Sequence, residues 1–193
     1  MSTSKYTWVY FAFLALFAVR KGVDQRRSRA RLAALQSSRT LLKAPDQTFP
    51  HLLVTHLAFF VLTPLEVWLL DRPFLPALAF SMLALFLVAT ALRSWSTSLL
   101  AEHWSSRVAV PEDLQPVTSG PYKVIRHPNY LAMSLELLAL GLMHSAWLAS
   151  AVVTVLNAIS VNMRIWEEEA VLFQVPAYKE AMEKTARLIP GIY

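Results

Sequence analysis

The sequence predicts an all-α integral membrane protein with about five transmembrane helices. Three observations carry that reading. The 193 residues are 55% hydrophobic and only 16% charged, with a mean hydropathy of +0.42, at one domain's length. Apolar stretches of crossing length recur between prolines and charges, and the basic residues concentrate in one loop beside them. The net charge of +5 therefore reads as membrane orientation and not as nucleic-acid binding. The absence of cysteine excludes disulfides, thiolate catalysis and a cysteine-ligated metal.

The elements follow in order. Tyr6 to Val19 is about 14 apolar residues between Lys5 and Arg20, short of the roughly 20 a crossing needs unless its aromatic end and a snorkelling Arg20 extend it. Arg20-Lys21 follows in place of a small-residue cleavage site, which favours an anchor over a removable signal. Pro50 to Leu70 is the second span, with His51, His56 and Glu66 near its ends. Pro73 to Leu92 is the third, joined to the second by Asp71-Arg72 alone and so antiparallel to it. Tyr130 to Met163 is too long for one crossing at about 1.5 Å per residue. Gly141 to Ser145 divides it into a fourth span ending near Met143 and a fifth running from about Ala146 to Met163.

Charge sets the orientation. Arg20 to Lys43 holds eight of the eighteen Lys and Arg residues, and the Arg93 to Tyr130 connection adds Arg93, Arg107, Lys123 and Arg126. By the positive-inside rule both loops and the C-terminus are cytoplasmic and the N-terminus is outside. Gln25 to Gln36, where basic residues interleave with Ala and Leu, is compatible with an interfacial amphipathic helix, although a basic loop that only sets topology explains it as well. One membrane domain over 1–193 results. Its 1–92 part carries three spans and the basic loop 20–49, and its 93–193 part carries the hairpin 130–163 and the chemistry-bearing residues.

Two polar clusters fall on that cytoplasmic side. Ser119-Gly120-Pro121-Tyr122-Lys123-Val124-Ile125-Arg126-His127-Pro128-Asn129-Tyr130 stands between long apolar stretches, and its Gly-Pro and His-Pro steps impose a backbone shape that a regular helix does not supply. Arg164-Ile165-Trp166-Glu167-Glu168-Glu169 closes the fifth span. Either cluster alone can be snorkelling at a membrane boundary. Together they bring a guanidinium, an imidazole, two phenols and carboxylates to one interfacial cavity, and ionisable groups at such a depth are functional candidates. Arg164 and Glu168, four residues apart, share a helix face as a structural pair or as two groups aimed into the cavity.

The succession Ser-Gly-Pro-Tyr, Arg-His-Pro-x-Tyr, apolar hairpin and Arg-x-x-x-Glu-Glu-x-x-Leu, from about Trp95 to Pro190, resembles the isoprenylcysteine carboxyl methyltransferase family and its bacterial relatives. The resemblance implies an integral membrane enzyme using S-adenosylmethionine, with no metal. It implies that Pro116, Val117, Tyr122, Arg126, His127, Pro128, Asn129 and Tyr130 surround that cofactor, that Glu168 and Glu169 contact it, and that Arg164 and Glu168 serve the reaction, Arg164 facing the acceptor. The family's usual Phe-Gly-x-x-Tyr is replaced here by Phe173-Gln174-Val175-Pro176-Ala177-Tyr178. Val153 to Ala158 with Arg164 and the glutamates is similar to the branch acting on long-chain alkylpyrones and alkylresorcinols, which implies O-methylation of a ring hydroxyl. A prenylcysteine-type carboxylate is the second acceptor class.

Methyl transfer suits these residue types, because alignment in a dry pocket supplies much of the catalysis. Aromatic faces of Tyr122 or Tyr130 can pack on the cofactor, and Arg164 can hold an anionic acceptor oxygen. A carboxylate acceptor needs no base; a phenol does, and His127 or Glu169 are the nearby candidates. The expected partners are an amphiphilic or lipidated substrate and membrane lipids, with no nucleic acid. A nicotinamide-dependent membrane reductase sharing the Arg-His-Pro-Asn-Tyr string and a non-catalytic membrane scaffold are the competing readings. Cysteine labelling checks the orientation: Gln25→Cys is expected to react only from the cytoplasmic side and Asp71→Cys only from the other.

Overall fold

The computed structural model describes residues 5–38, 40–44, 46–101 and 104–193. Six α-helices are present among the described residues: α1 Lys5–Ser38, α2 Phe49–Leu69, α3 Pro76–Leu100, α4 Pro128–Leu142, α5 Trp147–Leu172 and α6 Pro176–Met182. A 3-10 turn covers Gly120–Lys123, and two short strands, β1 Leu41–Lys43 and β2 Ala109–Pro111, pair antiparallel with Leu42 opposite Val110. Helices α2, α3, α4 and α6 each carry proline in the first turn, where the missing N–H removes no helical bond and the fixed φ favours entry.

The membrane class holds, and the number of crossings is corrected. Among the described residues three helices, α2, α3 and α5, are long and apolar enough to span a bilayer. Helix α4 has 15 residues, about 22 Å, below the roughly 30 Å of a hydrocarbon core. It packs chiefly against α3 and α5. The first apolar stretch does not end at Arg20: α1 runs 34 residues, taking in Gln25 to Gln36, because Ala, Leu, Gln and Arg sustain a helix and no proline interrupts it. Arg39, part of the expected basic loop, lies outside the described residues. The Arg93 to Tyr130 connection likewise starts later than expected, since α3 continues to Leu100, and α5 runs well past Met163 to Leu172. The α4–α5 hairpin turns at Met143 to Ala146 as the sequence suggests, with Ser145 at φ 58. Gly141 is required beside that turn, since a Cβ there would collide with the Ser150 hydroxyl across the helix pair.

The bundle core combines Tyr10, Leu14 and Phe17 of α1, Phe59 and Val67 of α2, Phe86 of α3, Leu137 and Leu140 of α4, and Val153 of α5. Set into it is a polar knot. Glu136 of α4, with 0% of its surface exposed, accepts hydrogen bonds from Lys21 Nζ at 2.9 Å, Arg93 Nη1 at 3.0 Å, the Thr90 hydroxyl at 3.0 Å and Arg20 Nη2 at 3.2 Å. Asp24 adds a second carboxylate 3.6 Å from Arg93. One side chain on α4 thus ties α1 to α3. At the far end of α2, Glu66 accepts from the Leu148 and Ala149 amides, at 3.1 and 2.5 Å, so a carboxylate from another helix caps the N-terminus of α5, where negative charge is favoured. Arg72 neutralises it at 2.7 Å.

Removing one partner from a buried ionic cluster leaves uncompensated charge and costs about 3–5 kcal/mol. Glu136→Leu is therefore expected to lower the Tm of the detergent-purified protein by many degrees, whereas Glu112→Ala, on an exposed loop side chain, leaves it within a degree or two.

Candidate active site

The site lies where the bundle meets a second, smaller core made by Val108, Val110, Tyr122, Val171, Leu172, Val175, Tyr178 and Met182. Four pieces of chain deliver its side chains. Gly120, at φ 57, starts the 3-10 turn so close to α3 that a Cβ would come within 2.8 Å of Leu99 Cδ1. The turn buries Tyr122, whose hydroxyl donates to the Ser96 carbonyl at 3.3 Å. His127 then caps α4, whose first turn presents Asn129 and Tyr130. The last turns of α5 present Glu168 and Leu172, α6 presents Tyr178, and the segment from Trp104 through β2 to Val117 closes the opposite wall.

The cavity so formed is lined by Pro116, Val117, Tyr122, Arg126, His127, Asn129, Tyr130 and Glu168 among the residues expected from sequence. Pro128, Arg164 and Glu169 do not line it. Pro128 is buried in the first turn of α4. Trp104, Arg107, Leu172, Tyr178 and Met182 also form the wall and were not picked out from sequence. Tyr178 had a usable signal: Pro176 restarts a helix after the turn at Phe173 to Val175, and this places Tyr178 edge-on to Phe173, ring centres 5.7 Å apart. The departure from Phe-Gly-x-x-Tyr therefore still brings an aromatic to the wall.

The three successive glutamates of α5 do three different things, because neighbours on a helix point about 100° apart. Glu168 faces the cavity and accepts from the Tyr130 hydroxyl at 2.7 Å. Glu169, 3% exposed, faces the C-terminal segment, where both Arg126 and Arg187 grip it, Nε to oxygen at 2.9 and 3.0 Å, and His127 Nε2 lies 3.1 Å away. Arg187 is correspondingly held in its charged form, chiefly by its hydrogen bond to Glu169. The main chain follows the side chains: Arg126 N–H donates to the Ala186 carbonyl at 2.8 Å and His127 N–H to the Arg187 carbonyl at 3.0 Å.

Glu167 turns the other way and accepts from the Gln47 and Thr48 amides, at 2.7 and 3.2 Å, and from the Thr48 hydroxyl. Arg164, 1% exposed, pairs with Asp46 and with Glu167 at 3.3 Å, and donates from Nη2 to the Ser106 carbonyl at 2.7 Å. Its shared-face partner is thus Glu167 at i+3, while Glu168 is taken by Tyr130. Asp46, itself at φ 57, also receives Arg107. Burial pushes the Tyr122 and Tyr178 phenols well above their ordinary range, with the nearby Glu168 charge adding to it, so both stay neutral donors near pH 7.

Two acceptors in the cavity wall are open to a ligand. Among the described residues, Asn129 Oδ1 is buried with no hydrogen-bond partner, and the Glu168 carboxylate is engaged only by Tyr130. Both face the same cavity, an acceptor pair suited to an ammonium, an amine or ribose hydroxyls, within walls of Tyr, Leu, Val and Met. An adenosyl amino acid fits that chemistry. The cavity volume is about 120 Å³, smaller than the several hundred typical for such a ligand, so loading requires a wall to move outward.

Residues 82–174 match the family described as isoprenylcysteine carboxyl methyltransferase (ICMT). A Bacillus subtilis (strain 168) protein, "Uncharacterized protein YpbQ", is 23% identical over 165 residues, covering 85% of this chain and 96% of that relative. That alignment is longer than the family segment, so the likeness extends into the rest of the chain. The parts of α3, α4 and α5 and of the Trp104 to Tyr130 connection that wall the cavity all fall inside the matched region, so it is the site-bearing part of the chain that is similar to the isoprenylcysteine carboxyl methyltransferase family.

Proposed function

We propose that the chain transfers a methyl group from S-adenosylmethionine to an oxygen of a lipophilic acceptor at the cytoplasmic face of the membrane. The observation carrying this is the pairing of the Glu168 carboxylate with the partnerless Asn129 amide oxygen in one cavity at the end of an apolar bundle. Glu168 and Asn129 hold the amino-acid or ribose end, and the rings of Tyr122, Tyr130 and Tyr178 supply apolar faces beside it. When bound, the cofactor supplies an electrophilic methyl carbon on a sulfonium. That carbon would pass to an acceptor oxygen, with the sulfonium leaving as a neutral thioether, and Glu168 and Asn129 would hold the group in place for it.

The protein's contribution is alignment and exclusion of water. We assign Arg164 to the acceptor side on one observation: although it does not line the cavity and most of its guanidinium is committed to Asp46, Glu167 and the Ser106 carbonyl, its Nε–H is buried without a partner. A carboxylate acceptor arrives ionised. For a phenolic acceptor, such as a long-chain alkylresorcinol, His127 is the base: Nε2–H donates to Glu169, which leaves the Nδ1 lone pair to take the proton. The acceptor's long chain lies among the apolar outer faces of the helices, where Leu87, Val88, Val155 and Ile159 are exposed.

Calorimetric titration of the purified protein is expected to show binding of S-adenosylhomocysteine and none of NADPH; the reverse would establish a reductase. Glu168→Gln should weaken S-adenosylhomocysteine at least tenfold, as expected for losing a contact to a charged group of about 1.5–3 kcal/mol, with Tm unchanged because Glu168 is half-buried and bonded only by Tyr130. Undiminished affinity in that variant would remove Glu168 from the site.

Arg164→Lys keeps the charge and loses the fork. Turnover should fall roughly ten- to a hundred-fold while S-adenosylhomocysteine affinity changes less than threefold. A near wild-type rate on long-chain phenolic and carboxylate acceptors would show that Arg164 only braces the helix end.

A further inference from the structure

A second concavity lies between α1 and α3, and the methyl-transfer reading makes no use of it. Arg20, Val23, Asp24, Arg27 and Arg31 line it from α1, at helical spacings of three and four, and Arg93, Ser94, Thr97 and Ser98 line it from α3. Its volume is about 590 Å³. Four guanidinium groups face one carboxylate across it, and that imbalance is not cancelled nearby. Asp24 is committed to Arg93, while Glu136 is shared by Arg20, Lys21 and Arg93. Among the described residues, Arg27 and Arg31 have no ion-pair partner, Arg31 lying 5.6 Å over the Trp104 ring. On the facing helix Ser94 lines the groove one turn before Thr97 and Ser98, whose hydroxyls donate to carbonyls of their own helix.

Planar guanidinium forks match the oxygens of an anion and not a neutral head group, and several forks on one concavity suit the three-oxygen face of a phosphate. The surroundings supply the rest of an amphiphile's needs. One to two turns nearer the N-terminus, α1 exposes Leu16 and Val19, 67% and 64% accessible, on the apolar stretch that enters the bundle. Trp104 lines both this groove and the cofactor cavity, so a ligand here lies one side chain from the reaction site. We propose that the α1–α3 groove is a binding site for a phosphate-bearing ligand, with Arg27 and Arg31 as its free cations and Arg20 and Arg93 as its floor. The assignment stands whether or not the neighbouring cavity transfers methyl groups.

The test compares variants of equal charge. Full-length protein in detergent is titrated with dioleoylphosphatidylglycerol, with dioleoylphosphatidylcholine and with inorganic phosphate, bound lipid being read by native mass spectrometry and by the rise in Tm. The phosphatidylglycerol is expected to bind at least tenfold more tightly than the phosphatidylcholine. Arg27→Ala/Arg31→Ala should lose about tenfold of that affinity, while Arg26→Ala/Arg29→Ala, which removes the same charge from residues outside the groove, should lose less than threefold. Millimolar phosphate that raises Tm, fails to do so in Arg27→Ala/Arg31→Ala and displaces the lipid would identify a soluble phosphate as the source; lipid binding that phosphate does not displace would identify the head group. Equal losses in the two double variants would mean diffuse attraction to a basic helix and overturn the site, as would equal affinity for the two lipids together with no effect of phosphate. The Tm of each ligand-free variant verifies that it is folded.

Discussion

The architecture around the cavity depends on one carboxylate that water barely reaches. Burying Glu169 costs several kcal/mol, and the cost is offset because two arginines and a histidine converge on it with good geometry. Those partners come from separate parts of the chain. Arg126 and His127 lead into α4, and Arg187 belongs to the C-terminal segment that pairs with them through main-chain bonds. Once Glu169 is satisfied, the start of α4 is fixed relative to the end of α5. Asn129, Tyr130 and Glu168 then meet at one cavity without any of them having to hold the fold. Stability and binding are divided between adjacent residues of one helix, which frees Glu168 for a ligand.

The same division recurs at other depths. Glu136 neutralises cations that α1 carries into the bundle, so that a helix with basic residues from its middle onward can pack on α3 and α4. Arg164 and Asp46 perform the corresponding task between α5 and the approach to α2. In apolar surroundings such pairs have few alternative partners, and each one specifies which helix lies beside which. Apolar packing alone discriminates poorly between such arrangements, since lipid tails are as apolar as the helix faces.

Much of this was legible in the sequence, for identifiable reasons. The α4–α5 hairpin shows in an apolar run too long for one crossing, with Gly141 and Ser145 at its middle. The convergence of Tyr122, His127, Asn129, Tyr130 and Glu168 follows from placing two polar clusters at the same end of the bundle. The helix ends were less legible, because α1, α3 and α5 continue past their apolar parts through residues that favour a helix equally well in water. Glu136 was overlooked, although a carboxylate in the middle of an apolar span is itself a signal. The partners of Arg164 were beyond reach: Asp46 lies over a hundred residues away and Ser106 contributes a main-chain carbonyl, which no side-chain pattern announces.

The walls of the cavity differ in how firmly they are held, and that difference points to the way in. Two walls are ends of long helices locked by Glu169. The wall from Trp104 to Val117 is fastened by short-strand and loop contacts instead of long-helix packing: a ladder of three residues against β1 with the Ala44 and Glu112 amides at its ends, Ser106 on the Ser28 hydroxyl, Arg107 on Asp46, and the Ser106 carbonyl on Arg164. It is therefore the wall expected to yield when a ligand larger than the present cavity enters. Arg164 is bonded to this wall and carries the one buried, partnerless nitrogen of its guanidinium beside it. Outward movement of the wall strains or breaks the Ser106 bond and exposes a fork whose natural replacement partner is another oxygen. On the proposed methyl-transfer reading, an acceptor oxygen would take that place only as the wall shifts, which would couple cofactor loading to acceptor binding through the same guanidinium.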